Sequence, residues 1–411
     1  MATNYPFLAY RYFRLLTISS LVIMRTNLRN ISLIILLVAF GSCEEKYWPD
    51  LGGRYQNLLV VDGMITNEPG PYIVRLSQST PVSNQVGAYV SGYQIIIMDD
   101  HGNTETLHEI NPGEYSTDPD GIQGVAGRKY KIEITSVTGE VYQSEYETLK
   151  QPTDIESVFA KLEYRQNNEV NYDIAGYQFY LNTAMAQHDT NYYLWNMTAT
   201  YKYQADLKIR FIFDGTLRPF YNSDSLRICY KTQIIKEIFT YNTSGLNKPV
   251  LTNFPLHYVS TETRDLSFRY SLMVKQLSIS ETAYNFWSAA REQNSDIGDL
   301  HSRQPYQIRG NISNLNNPGE PVLGLFLVAG VSEKRIFVNR PDPPVRMRYP
   351  VCVAGEGAVE NFPDIFFRPE RFWPVYATFH VDGRPALPPQ VCMNCELSGG
   401  VLQKPGFWID D

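Results

Sequence analysis

The stretch KYKIEIT (129–135) alternates apolar and polar side chains with a period of two. Successive side chains of a β-strand point to opposite faces of the sheet, so this alternation places Tyr130, Ile132 and Ile134 on one face. A strand with one apolar face and one polar face predicts a β-sheet that covers a core on one side.

Similar short runs surround this strand, and turn sequences separate them. Between residues 57 and 149 the predicted strands are NLLVVDG, YIVRLS, YQIIIMD, TETLHEI, GEYST, RKYKIEIT and EVYQSEYE. The turn sequences NEPGP (67–71), DDHGN (99–103) and TGE (138–140) are typical of the tight turns between such strands. We therefore predict an immunoglobulin-like or transthyretin-like β-sandwich over residues 57–149.

The segment LKQPTDIES (149–157) is polar and contains a proline, which is typical of a connection between domains. From residue 150 to residue 411 we predict a larger β-rich domain, because the chain carries 29 Tyr and 20 Phe and few helical periods. Its strands include NYYLWNMTATYKYQ (191–204), in which Tyr193, Trp195 and Met197 form one apolar face. The fold class is therefore mainly β.

One segment of the larger domain has a helical pattern, SISETAYNFWSAAREQNS (278–295). Ser278 and Glu281 have the spacing of a capping box, which predicts that the helix begins at Ser278. One buried stripe is predicted at helical spacing, made of Ile279, Ala283, Phe286, Trp287 and Ala290. The sequence therefore predicts a helix that packs on a sheet.

The N-terminal residues 1–43 have the pattern of a secretory signal. From Met24, which we expect to be the true start, two arginines precede an apolar run at 31–40, then Gly-Ser and Cys43. This order resembles the lipobox of bacterial lipoproteins, in which the cysteine is acylated, although Phe40 stands where an aliphatic residue is usual. Ordinary secretion and a buried cysteine are the alternatives. Residues 44–56 then form a tether that begins with acidic residues.

The formal charge of the chain is −7. Four arginines and no acidic residue lie in the leader, so the mature chain is more acidic still. An acidic surface gives no basic footprint for nucleic acid, and we expect none to bind. Contact with the lipid bilayer is then expected through acylated Cys43.

Catalytic signatures are absent from the sequence: there is no G-x-S-x-G, no H-E-x-x-H and no P-loop. The six histidines are scattered without metal-ligand spacing, and the acidic turns at 99–103 and 118–121 do not continue as calcium loops. We therefore expect no metal and no cofactor, and we lean towards a protein that is not an enzyme. Three tryptophans of the larger domain, Trp195, Trp287 and Trp373, are candidates for a ligand-binding surface.

Five cysteines occur in the chain, and Cys43 is assigned to the lipid. The other four are Cys229, Cys352, Cys392 and Cys395. Outside the cytosol these favour two disulfides, in which Cys392 and Cys395 each reach Cys229 or Cys352. A four-cysteine zinc site and a redox dithiol are the alternatives. Phe407 and Trp408 are expected to dock the C-terminal segment on the core.

Four segments together resemble domain-of-unknown-function family 4249. They are LVVDGMITNEPGPYIVRLSQS (59–79), YYLWNMTATYKY (192–203), GNISNLNNPGEPVLGLFLVAGVSEKRIFV (310–338) and CMNCELSGGVLQKPGFW (392–408). The resemblance implies an outer-membrane lipoprotein, often encoded beside a TonB-dependent transporter, with no established activity.

The leading hypothesis is a lipid-anchored, non-enzymatic protein of the outer membrane, exposed on the cell surface, that binds a ligand for a TonB-dependent transporter or docks on it. Two alternatives stay open: a surface hydrolase that uses an unrecognised carboxylate pair, and a structural or adhesive β-domain protein.

Overall fold

The computed structural model describes residues 57–80, 88–184, 191–244, 250–296 and 307–410. The predicted leader (1–43, with Met24 and Cys43) and tether (44–56) lie outside these residues. Within them the protein is mainly β, as predicted. No helix in these ranges has both the length and the apolar character needed to span a membrane.

Ten strands form in the N-terminal region. They are β1 (Leu59–Thr66), β2 (Ile73–Gln78), β3 (Ala88–Tyr89), β4 (Gln94–Asp99), β5 (Thr104–Thr106), β6 (His108–Asn111), β7 (Glu114–Ser116), β8 (Lys129–Thr135), β9 (Val141–Ser144) and β10 (Glu147–Thr148). Tyr130, Ile132 and Ile134 of β8 are fully buried in one core together with Ile95 and Ile97 of β4. The face predicted from KYKIEIT is thus confirmed.

Twelve further strands follow in the rest of the chain. They are β11 (Ile155–Arg165), β12 (Ile174–Ala184), β13 (Tyr192–Gln204), β14 (Phe211–Phe213), β15 (Leu217–Pro219), β16 (Ile228–Asn242), β17 (Val250–Ser260), β18 (Arg269–Ile279), β19 (Arg309–Asn314), β20 (Pro321–Asn339), β21 (Val375–Phe379) and β22 (Pro385–Ala386). The α-helices are α1 (Glu281–Asp296) and α2 (Glu356–Glu360), and short 3₁₀ helices lie at Phe362–Phe367, Glu370–Phe372, Gln390–Cys392 and Cys395–Ser398.

The predicted strand TETLHEI is two strands in the structure. β5 pairs with β4 at one end of the sheet, and β6 pairs with β7 at the other end of the order β5-β4-β8-β9-β19-β20-β1-β2-β7-β6. Only Leu107, whose side chain is buried, separates the two strands along the chain. The sheet therefore curls until it is nearly closed, and its two halves face each other across one core.

The curled sheet is completed by strands from far along the chain. β19 pairs with β9, and the first half of β20 pairs in parallel with β1, where Val61 lies opposite Gly324. Gly324 has a φ of +85°, and a Cβ atom there would lie 1.9 Å from the carbonyl oxygen of Val61. Only glycine fits this close approach.

β20 also belongs to a second group of strands. Its second half, from Gly330 to Asn339, pairs with β18 in the order β16-β13-β18-β20. The predicted connection at 149–157 crosses β20 where the strand changes partner, since a Cβ atom on Gly330 would lie 2.1 Å from the carbonyl oxygen of Lys150. The carbonyl oxygen of Thr153 accepts hydrogen bonds from Gln276 and Ser332. Hydrogen bonds from β18 and from β20 therefore hold this connection in place.

Two layers cover β13 and its neighbours. The sheet β11-β12-β17 packs on one face, around Phe179, Leu181, Trp195 and Leu272. α1 packs on the other face through Ala283, Phe286 and Trp287, so most of the predicted stripe is confirmed. The predicted start of the helix is wrong by two residues: Ser278 lies in β18, and the Ser280 side chain caps the helix by accepting from the amide of Ala283 at 3.1 Å.

The chain ends in a compact module, which we call the C-terminal module (205–220 and 351–408). Its sheet has the order β15-β14-β21-β22, and its core is small, with Phe213, Ile365, Val375, Ala377 and Leu387 buried together. Trp408 docks the last segment on the core, as predicted, edge-on to Tyr230 and Phe337 with ring centroids at 5.0 and 5.6 Å. The prediction is wrong for Phe407, which is 40% exposed and lies under the Arg335 guanidinium.

Candidate functional site

The four predicted disulfide cysteines pair with one another, three of them in the C-terminal module and Cys229 in β16. Cys229 bonds to Cys395 and Cys352 bonds to Cys392, so each cysteine of the C-x-x-C pair reaches out to one distant partner. This arrangement confirms the disulfide prediction and leaves no thiol among these four for zinc or redox chemistry. Gly400 fits against Cys229, since a Cβ atom there would lie 2.5 Å from the cysteine Cβ. The module is thereby fixed to β16.

The three candidate tryptophans lie in three different clusters. Trp195 is 1% exposed in the main core and donates its indole N–H to the Oε1 atom of Gln276 at 2.9 Å. Trp287 belongs to α1 and lies edge-on to Phe286. Its indole nitrogen is buried without a partner among the described residues. Trp373 lies in the C-terminal module. The structure therefore does not bring them together, and Trp373 is the one that borders a cleft.

A cleft lies beside Trp373, and we call it the aromatic cleft. Its volume is about 620 Å³. It is lined, among others, by Asp364, Arg368, Arg371, Phe372, Trp373 and Tyr376. Its volume is in the range typical of ligand pockets. The Trp373 ring packs edge-on against Phe213 with centroids at 5.5 Å, and its indole N–H donates to the carbonyl oxygen of Arg368 at 2.9 Å. These two contacts hold the Trp373 side chain in the wall of the cleft.

Three phenylalanines beside this cleft point to solvent, and we call them the aromatic surface. Phe366 is 50% exposed, Phe367 is 82% exposed and Phe372 is 55% exposed. All three lie in the segment NFPDIFFRPERFWP (361–374), where 3₁₀ helices bounded by prolines prevent the strand alternation that would bury every second ring. Neighbouring exposed aromatic residues of this kind mark interaction sites, since isolated apolar residues are the norm on a surface.

The two arginines of the cleft have no ionic partner among the described residues. Arg371 lies over the Phe372 ring, with its Cζ atom 4.9 Å from the ring centroid. Asp364 precedes Arg368 by four residues, but the 3₁₀ helix Phe362–Phe367 does not bring positions i and i+4 together, and the two form no ion pair. The cleft therefore presents two guanidinium groups that are free to bind.

A second charged cluster in the C-terminal module differs from the aromatic cleft because its arginine is paired with carboxylates. Glu356, His380 and Asp382 bring their ligand atoms within 4.8 Å of one another, as a metal site requires. The Arg384 guanidinium, however, donates to Glu356 Oε1 at 2.7 Å and to Asp382 Oδ2 at 2.7 Å. These bonds from Arg384 hold the pKa of Asp382 below its ordinary value. The arginine therefore takes the place that a cation would have, and the cluster is a closed ion-pair network.

A depression of about 800 Å³ lies beside β11 and β17, lined by Arg165, Tyr258 and Glu262 among others. Arg165 is stacked on the Tyr258 ring at 3.6 Å and donates to Gln178 at 2.5 Å, so its guanidinium is already bound. The acidic turn that resembled a calcium loop is likewise satisfied internally: the Asp99 carboxylate accepts from Asn103 and from Arg128, at 2.7 and 3.0 Å. The depression also holds Glu262, whose Oε1 atom is buried without a partner among the described residues, whereas the aromatic cleft has two guanidinium groups without an ionic partner there.

Sequence reasoning named Trp373 but missed Arg368, Arg371 and the aromatic surface. The signal was present in FFRPERFW (366–373), where four aromatic residues and two arginines lie between prolines without any strand or helix period. Glu356 and Arg384 were beyond reach, because their contact depends on how the chain folds between them.

Comparisons with known proteins give a family and little else. The family described as "Domain of unknown function (DUF4249)" matches residues 44–335, so the match ends before the aromatic cleft and before the closing cysteines. The search of curated proteins found no match. Among solved structures, trypsin-activated alpha-2-macroglobulin from Escherichia coli matches at 9% identity over 56% of this chain and 15% of that chain, with a TM-score of 0.17, too low to carry an argument. Since the family match extends over most of the chain, the protein belongs to the DUF4249 family.

Proposed function

We propose that this protein is a lipid-anchored protein of the outer membrane, exposed on the cell surface, that docks through its aromatic surface on a TonB-dependent transporter. The observation that carries the proposal is the exposure of three rings, Phe366, Phe367 and Phe372, in one short segment of a module that contains two disulfides. Protein interfaces are enriched in aromatic residues and arginine, and residues of these types carry most of the binding energy.

Two features of the sequence support the membrane part of the proposal. The leader ends at Cys43 in a pattern that resembles a lipobox, and two or more acyl chains on that cysteine anchor a protein stably. The resemblance to family 4249 supports a transporter as partner. A non-enzymatic role accords with the closed network around Arg384, in which both carboxylates are bound to the arginine and neither is free for acid–base chemistry.

A photo-activatable cross-linking amino acid placed at Phe367 tests the docking. The full-length lipoprotein is expressed in its own cells, the cells are irradiated, and the cross-linked product is identified by mass spectrometry. We expect a TonB-dependent transporter in the product from position 367. The matched control carries the same amino acid at Val137, which is 74% exposed in the turn after β8, and it should give no such product. Absence of a transporter from the position 367 product would contradict the proposal.

The anchor is tested separately with Cys43→Ser. Wild-type cells fed a clickable palmitate analogue should label the protein, and the variant should lose both the label and the membrane fraction. Retention of the label by the variant would show that the lipid is attached elsewhere.

A further inference from the structure

The arginines in and beside the C-terminal module fall into two groups. Arg264 binds Asp206 through two bonds, at 2.8 and 2.6 Å, and Arg384 binds both Glu356 and Asp382. Arg368 and Arg371, in contrast, form no ion pair with any described residue. In a chain whose net charge is −7, two adjacent free arginines beside exposed rings are a local departure from the overall charge.

The geometry prepares these two arginines for a planar anion. The backbone at Arg368 is fixed by the indole N–H of Trp373, which donates to its carbonyl oxygen at 2.9 Å. Arg371 lies over Phe372, and stacking on a ring leaves the N–H edge of a guanidinium free for a carboxylate. An arginine held in this way loses less conformational entropy on binding, and arginine–carboxylate pairs with two parallel bonds are strong and directional.

The rest of the cleft favours an apolar side chain. Phe372, Trp373 and Tyr376 line it together with Leu387 and Leu397, and its 620 Å³ is open to solvent. A charged group at the rim beside an apolar floor suits a ligand that carries both a carboxylate and a large apolar side chain. An acidic peptide segment has this chemistry, whereas a neutral oligosaccharide would leave both guanidinium groups without an ionic partner.

We infer that the aromatic cleft binds an acidic peptide segment of the docking partner, with its carboxylates on Arg368 and Arg371 and an apolar side chain against Phe372 and Trp373. This inference rests on the proposed docking function and names the kind of segment that the partner presents. The interaction is electrostatic in part, so it weakens as salt is added.

Three synthetic peptides test the inference on the full chain in detergent. They share one flexible sequence with a single phenylalanine and differ at two positions, which are glutamate, glutamine or lysine. Binding is measured by isothermal titration calorimetry. We expect the glutamate peptide to bind about tenfold or more tightly than the glutamine peptide, which is the ratio that about 1.4 kcal/mol gives, and the lysine peptide to bind least. Equal affinity for the three peptides overturns the inference, and so does binding of maltohexaose with no binding of any peptide.

The double variant Arg368→Gln/Arg371→Gln should remove the preference for the glutamate peptide. Arg346→Gln is the matched control, since Arg346 is exposed, lies outside the cleft and has no ionic partner among the described residues. An unchanged preference in the double variant overturns the inference, as does an equal loss in the control.

Cross-linking from position 367 separates this inference from the proposed function. If the double variant binds peptides without preference and its transporter cross-link is also lost, both statements are supported. If the cross-link persists in full with both arginines replaced, docking stands and the acidic segment is refuted. If the wild-type protein gives no transporter cross-link, the docking function fails, whatever the peptides show.

Discussion

The curled sheet at residues 57–149 and the C-terminal module are stabilised in different ways. The core of the curled sheet has nineteen buried residues, fifteen from residues 57–149 and four from β19 and β20, and residues 57–149 contain no cysteine. The core of the module has five buried residues; one disulfide, Cys352–Cys392, lies within the module and the other, Cys229–Cys395, ties it to β16. A small core cannot offset the entropy of ordering its chain, so covalent links replace buried area. The comparison predicts which changes each region tolerates.

The largest effect is expected from removal of a disulfide. Cys229→Ser/Cys395→Ser opens a loop of 166 residues, and the chain-entropy model gives a loss of about 5 kcal/mol in the free energy of unfolding. Limited proteolysis with mass spectrometry should show new cleavage at 351–408 and continued protection of 57–149. Equal loss of protection in both regions would mean that the two do not differ in the way described.

A cavity in the curled sheet should have the next largest effect. Ile132→Ala removes a fully buried side chain, and such changes cost about 2 to 5 kcal/mol. Chemical denaturation measures the loss, with Val137→Ala as control, because Val137 is 74% exposed and its truncation should change stability by less than about 0.5 kcal/mol. A loss for Ile132→Ala no larger than that of the control would refute the role assigned to this core.

A third change tests the junction between the curled sheet and α1. Glu147 accepts hydrogen bonds from Ser280, the N-cap of α1, and from Asn311 in β19, at 3.0 and 3.2 Å. Burial raises the pKa of Glu147 above its ordinary value. The folded protein therefore holds this proton more tightly than the unfolded chain does, so stability falls as pH rises from the ordinary carboxyl pKa through the raised one.

Glu147→Gln should remove that part of the pH dependence. We expect the variant to gain stability relative to wild type as pH rises above the ordinary carboxyl pKa of about 4.3, and the measurement is the denaturation midpoint as a function of pH. Glu169→Gln, at an exposed position between β11 and β12, is the control for the loss of one carboxylate. A steeper fall with pH in the Glu147 variant would show that the charged form is the one that the fold favours.

The smallest effect on stability is expected at the aromatic surface. Phe367→Ala removes a ring that is 82% exposed, so the free energy of unfolding should change by less than about 0.5 kcal/mol. Thermal denaturation of the purified variant checks this value. A loss of several kcal/mol would assign the ring to folding rather than to docking.

Local patterns of the sequence predicted the strands well where one face is buried. The alternation in KYKIEIT predicted correctly which face of β8 is buried. Tyr193, Trp195 and Met197 likewise lie in the core, as their alternation predicted. The pattern failed at TETLHEI, since alternation continues through Leu107 while the backbone turns there to reach a different partner strand. The predicted helix start was wrong for a related reason. Ser278 and Ser280 both precede the helix, but Ser278 belongs to β18 and Ser280 caps the helix.

Long-range features were beyond local patterns. Nothing in LVVDGMIT (59–66) indicates that its parallel partner is β20, because pairing depends on how the chain between them folds. The cysteine count predicted two disulfides that fan out from the C-x-x-C pair, but the connectivity needed the fold. The division between residues 149 and 150 stays a prediction, and the structure adds that β19 and β20 complete the sheet on the N-terminal side of it.

The position of β20 has a consequence for the order in which the chain can fold. Residues 57–149 are made before residues 309–339, yet β1 and β9 gain their second neighbours only when β20 and β19 have been synthesised. Until then both strands have an open edge, and open edges pair readily with other chains. Pairings so distant in sequence also form slowly. A nascent chain of this protein is thus most vulnerable to aggregation midway through synthesis, and holding it unfolded until residue 339 is available would protect it.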